Sequence, residues 1–195
     1  MYKPLLAAAG ILVTLAVSAV LAAPLADAPG LPFSSKRVPA STEECVVWNR
    51  ERSFARSIEA RDQEAWASHF HPGLVMDVGP EPTRGIEASR KVWSIFAGDS
   101  DTVLRWRPGT VNMSGNMQAA VSVGPYIFQS RTNGVDRFTV GLYQTVWMRD
   151  ERDGVWKAIF DGQASTPSPV PDRAAADAWV KEQPMSACDK SSTKP

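Results

Sequence analysis

The chain has 195 residues, of which 44% are hydrophobic and 22% are charged. This length has room for one ordinary domain, and the composition is that of a globular protein, which excludes disorder throughout. The 21 Lys and Arg residues balance the 21 Asp and Glu residues, so the formal net charge is zero. Without a net positive field, the sequence indicates no nucleic-acid partner.

The N-terminal stretch has the pattern of a secretory signal peptide. No charge follows Lys3 until Asp27, and small residues crowd the end of the apolar segment at positions 20–22. The uncharged run 4–26 is also long enough for a retained membrane anchor. The sequence therefore predicts a signal peptide or anchor at 1–22. We expect an exported protein, in the bacterial periplasm or outside the cell, that has no membrane partner once this segment is cleaved.

Two cysteines, Cys45 and Cys188, are the whole thiol content of the chain. An exported protein meets an oxidising compartment in which disulfides form and persist. The two cysteines do not have the CxxC spacing of a redox or metal motif, so a catalytic thiol is not indicated. We predict a structural disulfide that joins the end of the chain to the beginning of the domain.

Helical patterns dominate the first part of the predicted domain, 42–167. A proline-rich linker, 23–41, precedes it, and Ser41 with Glu44 three residues later forms a capping box. Apolar residues at helical spacing then predict a helix of about five turns. Asp62 caps a second short helix that Pro72-Gly73 should end, "LVMDV" is a short strand, and a third helix follows from Ile86 to Phe96.

The second part of the domain reads as strands. Four runs rich in Val, Tyr, Phe, Trp and Thr occupy 101–115, 117–131, 135–151 and 154–165, with turn signals such as Asn133-Gly134 between them. Helices followed by an antiparallel meander predict an α+β domain with helices on one face of a curved sheet. The run "PSPVP" should then break the chain, and the tail, 168–195, carries a short helix whose Trp179 docks on the body.

The segment "GVWKAIFDGQAST" places a carboxylate at the end of an apolar strand. Alternation puts Asp161 on the same strand face as Ile159, opposite Trp156 and Phe160. Either the face of Asp161 turns inward and the carboxylate lies in a cavity, or the aromatic face marks the core and Asp161 is a solvated strand end. The sequence leaves both alternatives open.

Three stretches resemble the nuclear transport factor 2-like superfamily: "SFARSIEARDQEAWASHFHPG", "WRPGTVNMSGNMQAAVSVGPYIF" and "GLYQTVWMRDERDGVWKAIFDGQASTP". The chain is most similar to the SnoaL-like branch related to the calcium/calmodulin-dependent kinase II association domain. The last stretch carries the pattern of that branch in Gly141, Tyr143, Thr145, Trp147, Trp156, Lys157 and Asp161. The resemblance implies a cone-shaped fold in which helices pack on a strongly bent, mostly antiparallel sheet and enclose a conical pocket.

The resemblance also suggests site residues. Ketosteroid isomerases of this fold use an Asp base on the short strand after the second helix, a position similar to Asp77 here. Their first-helix Tyr, an oxyanion donor, corresponds to Phe54, which has no hydroxyl, so isomerase activity is not carried over whole. Tyr126 and Tyr143 are the remaining hydroxyl donors. The predicted catalytic groups are therefore Asp77, Asp161, Tyr126 and Tyr143, and the predicted pocket-lining residues are Phe54, Ile58, Trp66, Phe70 and Ile159.

Two functions of different classes fit these features. The first is an exported pocket protein that binds or transforms a small hydrophobic or aromatic compound by Asp-centred acid/base chemistry. The second is a non-enzymatic, dimerising assembly module that would need an exposed row such as Thr139, Tyr143, Thr145 and Trp147 on the outer sheet face. A homodimer is expected in either case. The sequence predicts no cofactor, since it has no dinucleotide or phosphate loop, and no metal, since His69 and His71 diverge at a helix end.

Overall fold

The computed structural model of the chain describes residues 30–77, 81–96 and 101–188. The predicted signal peptide or anchor lies outside these residues. Within them, no helix has both the length and the apolar content that a membrane span requires.

The helices begin where the capping signals predict. In α1 (Thr42–Glu59), the Ser41 hydroxyl accepts from the Glu44 N–H at 3.2 Å, and the Glu44 carboxylate accepts from the Ser41 N–H at 2.8 Å. This reciprocal capping box confirms the predicted start. The shorter α2 (Gln63–Ala67) is capped by Asp62, whose Oδ1 accepts from the Ala65 N–H at 2.9 Å. The third helix, α3 (Ile86–Trp93), is continued by a 3₁₀ turn over Ser94–Phe96.

One bent sheet of eight strands forms the other layer within the described residues. Its main path runs β3-β2-β8-β7-β6-β4, while β5 also pairs with β6 and β9 with β7. All pairs are antiparallel except β2 with β8. This architecture confirms the predicted α+β class. The strands are β2 (Phe70–Asp77), β3 (Thr83–Arg84), β4 (Thr102–Trp106), β5 (Thr110–Met113), β6 (Ala119–Thr132), β7 (Val135–Arg149), β8 (Trp156–Gln163) and β9 (Ser168–Val170).

The run at 101–115 is two strands because the sheet bends inside it. Residues 107–109 separate β4 from β5, and both strands pair with β6, one on each side of Gly124-Pro125. Pro125 therefore lies where β6 changes partner, so its missing N–H interrupts no regular ladder there. A Cβ at Gly124 would come within 2.3 Å of the Arg107 carbonyl oxygen. The two backbone segments approach so closely here that only glycine fits.

Two segments that the sequence predicts as chain-breaking turns lie in strands instead. Pro72-Gly73 was expected to end a helix, but α2 ends at Ala67 and the pair lies within β2. The pairing of β2 with β8 is irregular between Phe70 and Val75, and this irregular stretch accommodates the proline. The other prediction was a break at 167–171, where β9 pairs with the edge of β7 instead.

The two faces of β7 pack against different helices. On the inner face, Thr145 and Trp147 are fully buried and Tyr143 is nearly so. The prediction that Thr139, Tyr143, Thr145 and Trp147 form an exposed row is therefore wrong. Tyr143, Thr145 and Trp147 face the core, and Thr139 lines a cavity. On the outer face, Phe138 and Val140 pack with Ile127 against Ala176 and Val180 of α4 (Arg173–Glu182), and Trp179 packs partly buried beside them.

The C-terminal segment is tied to the beginning of the domain. Cys45 and Cys188 form the predicted disulfide, with their Cα atoms 5.2 Å apart. Next to it, β1 (Arg37–Val38), which lies in the predicted linker, pairs in parallel with β10 (Met185–Ser186). The buried Arg107 guanidinium donates to the carbonyls of Pro32, Pro108, Val180 and Gln183. The tail is therefore an integral part of the structure rather than an appendage.

Candidate functional site

A cavity of about 670 Å³ lies between α1, α3 and the concave face of the sheet. Its size is within the ordinary range of small-molecule sites. Ile95, half-exposed, and the exposed Gln163 and Pro167 stand at its rim. Its lining residues are Phe54, Met76, Val92, Trp93, Ile95, Phe96, Leu104, Trp106, Tyr126, Phe128, Thr139, Tyr143, Asp161, Gly162, Gln163 and Pro167.

A β-bulge decides the orientation of Asp161. Trp147 pairs with Ala158, and the preceding residue Val146 pairs with Phe160, so Ile159 is an extra residue in β8. The bulge shifts the alternation by one. Trp156 and Ala158 are therefore buried, as the aromatic-face alternative required, and Asp161 nevertheless lines the cavity. The prediction that Asp161 lies in a cavity is therefore correct, although the face that turns inward carries Trp156 and Ala158 rather than Ile159, and the solvated strand end is wrong.

The Asp161 carboxyl is held by its neighbour on β7. Thr145, its partner in the strand register, donates from Oγ1 to Asp161 Oδ1 at 2.8 Å. Asp161 keeps some accessible surface because it lines the cavity, but protein surrounds it closely. Loss of water and then the nearby charge of Glu51 raise its pKa to about 8, against the opposing effect of the Thr145 hydrogen bond. Near neutral pH the group therefore holds a proton that it can exchange.

Glu51 belongs to the candidate site but was not among the residues predicted from the sequence. It is fully buried on α1, and its carboxylate accepts from Trp106 Nε1 at 2.8 Å and Trp147 Nε1 at 3.0 Å. Burial raises its pKa to about 7, although hydrogen bonds from these indoles and from Thr145 and Ser122 oppose the shift. The sequence did contain a sign that Glu51 is buried, because it lies three residues after Trp48 and three before Phe54, on the apolar stripe of the helix.

Thr145 connects the two carboxyl groups. Its hydroxyl proton is donated to Asp161 Oδ1, and the same hydroxyl opposes the rise in the Glu51 pKa. Both pKa values are raised, chiefly by burial, and the charge of Glu51 is the second cause of the rise at Asp161.

The two predicted tyrosine donors occupy different environments. The Tyr143 hydroxyl is buried and donates to the Arg107 carbonyl at 3.3 Å, with Ser122 Oγ at 3.4 Å. Its ring lines the cavity while its hydroxyl is engaged behind it. The Tyr126 ring also lines the cavity and lies across Gly141 of β7, and no described residue hydrogen-bonds its hydroxyl. Tyr126 is therefore the better placed of the two to meet a ligand.

Gly141 is required for this placement of Tyr126. A Cβ at Gly141 would lie 2.6 Å from Tyr126 Oη and 2.7 Å from Cζ. We expect the G141A substitution to push the ring into the cavity and to lower the free energy of unfolding by about 1–3 kcal/mol, the usual cost of overpacking. Urea denaturation measures the change. The matched control is G115A, because a Cβ there meets nothing within 4 Å, and an equal loss in both variants would contradict the prediction.

The remaining predicted site residues are spread over the core. Phe54 lines the cavity, whereas Ile58 and Trp66 line a smaller cleft between α1, α2 and α3. Phe70 packs edge-on against Phe54, with ring centroids 5.0 Å apart, and is not among the lining residues. Ile159 is the bulge residue and does not line the cavity either. Of the five predicted lining residues, only Phe54 is therefore on the wall of the cavity, and Ile58, Trp66, Phe70 and Ile159 are not.

Two further predictions concern Asp77 and the histidines. Asp77 ends β2, where its backbone pairs with Gly162, and its side chain lies outside the described residues. His69 is buried, hydrogen-bonded to the Ala65 carbonyl and Ser53, and burial lowers its pKa to about 4. It is a neutral structural histidine. In the part of the chain that the structure describes, no three His, Cys, Asp or Glu residues cluster as metal ligands.

The bent sheet, the helices and the cavity between them are typical of the cone-shaped class of α+β pocket folds. A ketosteroid isomerase-like protein from Erwinia carotovora atroseptica superposes with a TM-score of 0.54 at 12% identity, covering 68% of this chain and 100% of that one. The CaMKII hub homology domain of Chlamydamonas reinhardtii gives 0.51 at 16%, covering 67% and 100%. The S. rosetta CaMKII hub gives 0.52 at 16%, covering 68% and 100%.

These likenesses show that the chain has the nuclear transport factor 2-like fold, as its sequence resemblance implied. The sequence matches no protein-family profile and no curated protein. The fold hosts several activities, so the function has to be argued from the site itself.

Proposed function

We propose that this chain is an exported pocket protein that binds a small hydrophobic or aromatic compound and transforms it by acid/base chemistry at Asp161. The signal-peptide pattern and the disulfide support export. The observation that carries the proposal is a titratable carboxyl on the wall of a cavity that is otherwise largely apolar.

Each group around Asp161 has a distinct part in this proposal. Asp161 gives or takes the proton of the bound compound, because its pKa of about 8 is close to the working pH of an acid/base catalyst. Thr145 orients the carboxyl, and Glu51 behind it acts as a positioning residue that keeps the pair partly protonated. The Tyr126 hydroxyl, which no described residue engages, is the hydrogen-bond donor to the compound. Roles for Asp77 and Tyr143 stay predictions.

The assembly reading has less support from the geometry. The outer face of β6 and β7, where a partner sheet would have to pack, is covered by α4 through Ala176 and Val180. Tyr143, Thr145 and Trp147 on the inner face of β7 are buried, so they offer no surface to a partner. A homodimer is retained as a proposal that would use another surface. The mass of the native particle tests it.

The acid/base role can be tested with a probe that needs no knowledge of the natural substrate. We expect the protein to accelerate exchange of the α-protons of 2-tetralone in D₂O, followed by proton NMR, with a rate that changes around pH 8. The D161N variant should lose at least a hundredfold of this rate, the lower end of general-base contributions being about 10².

The control is D177N, which removes a carboxylate that pairs with Arg173 on the outer helix α4. We expect it to exchange like the wild type. Equal rates in D161N and the wild type would overturn the catalytic role. Native mass spectrometry of the protein isolated from its exporting host shows in parallel whether a small molecule accompanies it, and whether it is a dimer.

A further inference from the structure

The wall of the cavity is a nearly continuous aromatic surface. The ring centroids of Trp93 lie 5.4 Å from those of Phe96 and 5.9 Å from those of Trp106. Phe96 continues the wall to Phe128 at 6.4 Å, and Trp106 continues it to Tyr143 at 6.3 Å. Aromatic faces carry negative potential and attract organic cations, the more strongly when water is excluded.

The charges around this surface have one sign. Asp161 lies on the wall, and Glu51 lies behind it on α1, beyond Thr145 of β7. No Lys or Arg is among the described lining residues. The buried Arg107 lies behind Tyr143, and its guanidinium donates to backbone carbonyls. A bound anion would therefore meet two carboxyl groups and no counter-charge, at a large desolvation cost.

A cation would meet the opposite situation. Asp161 is faced by Glu51 from α1, by Thr145 and Tyr143 from β7 and by its register partner Met76 from β2. Glu51 is the only one of these groups that raises the Asp161 pKa by its charge, together with burial. An ammonium group placed beside Asp161 would relieve that repulsion. The proton of Asp161 would then leave to solvent, so the ammonium and the carboxylate form an ion pair and the charge balances.

We propose that the cavity selects hydrophobic amines and related organic cations over neutral and anionic compounds of the same size. The recognition elements are the aromatic wall and the Asp161 carboxylate, backed by Glu51. This inference rests on the proposed function, because it names the compound class for the same cavity.

Three probes of one shape test the selection: 1-naphthylmethylamine, 1-naphthalenemethanol and 1-naphthoate. Trp93 and Trp106 line the cavity, so quenching of tryptophan fluorescence reports binding. At pH 7 we expect the amine to bind at least tenfold more tightly than the alcohol, and the naphthoate to bind most weakly. Calorimetry in two buffers of different ionisation enthalpy should show release of up to one proton on amine binding, and amine affinity should rise from pH 6 to pH 8.

Variants separate the charge effect from the cavity itself. In D161N the advantage of the amine over the alcohol should be lost, whereas D177N, on the outer helix, should keep it. If D161N does not fold, the proton release and pH dependence of the wild type decide. Naphthoate binding as tightly as the amine, or an amine that binds no better than the alcohol, would overturn the inference and leave the proposed function intact. Failure of all three probes to bind would overturn both.

Discussion

The E51L variant should lose about 3–5 kcal/mol of unfolding free energy, because removing one partner of a buried polar network leaves the others unsatisfied. Leucine fits the apolar stripe of α1 but accepts no hydrogen bond, so the indole N–H groups of Trp106 and Trp147 are left buried without an acceptor. Urea denaturation followed by circular dichroism measures the loss. The control is E43L, an exposed position in the first turn of the same helix, where we expect a change within about 0.5 kcal/mol. Similar losses at the two positions would contradict the prediction.

The E51Q variant tests the pH dependence of the same group. Because the folded pKa of Glu51 is raised to about 7 from 4.5, the folded state favours the protonated form. The contribution of protonated Glu51 to the free energy of unfolding is fully present below about pH 4 and is lost as the pH rises through about 7. The wild type should therefore lose on the order of 3 kcal/mol relative to E51Q between pH 4 and 8. E51Q also removes the charge that raises the pKa of Asp161, so the apparent pKa of proton exchange should fall below about 8. A constant stability difference across this range would contradict the assignment.

Removing the disulfide should cost about 5 kcal/mol in the C45S/C188S variant by the loop-entropy model. The bond joins residues 143 positions apart, so it closes nearly the whole described domain into one loop and restricts the unfolded chain correspondingly. It also holds β10 next to β1 and so anchors the tail. Equilibrium unfolding in urea measures the difference.

The control for serine burial is the C45A/C188A variant, since both cysteines are buried and alanine introduces no hydroxyl. The two variants should lose similar amounts, and the oxidised wild type should approach them on reduction with dithiothreitol. A loss below about 2 kcal/mol in both variants, outside the typical range for native disulfides, would show that the tail is held without the covalent bond.

Local signals were sufficient for much of the fold. The capping box at Ser41 and the side-chain cap at Asp62 each act over three residues, and both helices begin there. The four strand-rich runs supply β4 to β8, five of the eight strands of the sheet, with the hairpin turns at Asn133-Gly134 and Asp153-Gly154. Where the prediction failed, at Pro72-Gly73 and at 167–171, pairing with a distant strand overrode a local breaker signal.

The candidate site was predictable only in part. Short-range patterns and the two cysteines were enough to predict the α+β class, the helix starts, the disulfide and a carboxylate at the end of the last long strand. The orientation of Asp161 toward the cavity was not predictable in this way, because the bulge at Ile159 reverses strand alternation and depends on the register with β7. The tertiary structure likewise placed Glu51 under the indoles of two distant strands and laid α4 over the outer sheet face. Those contacts join residues far apart in the chain, so no local pattern contains them.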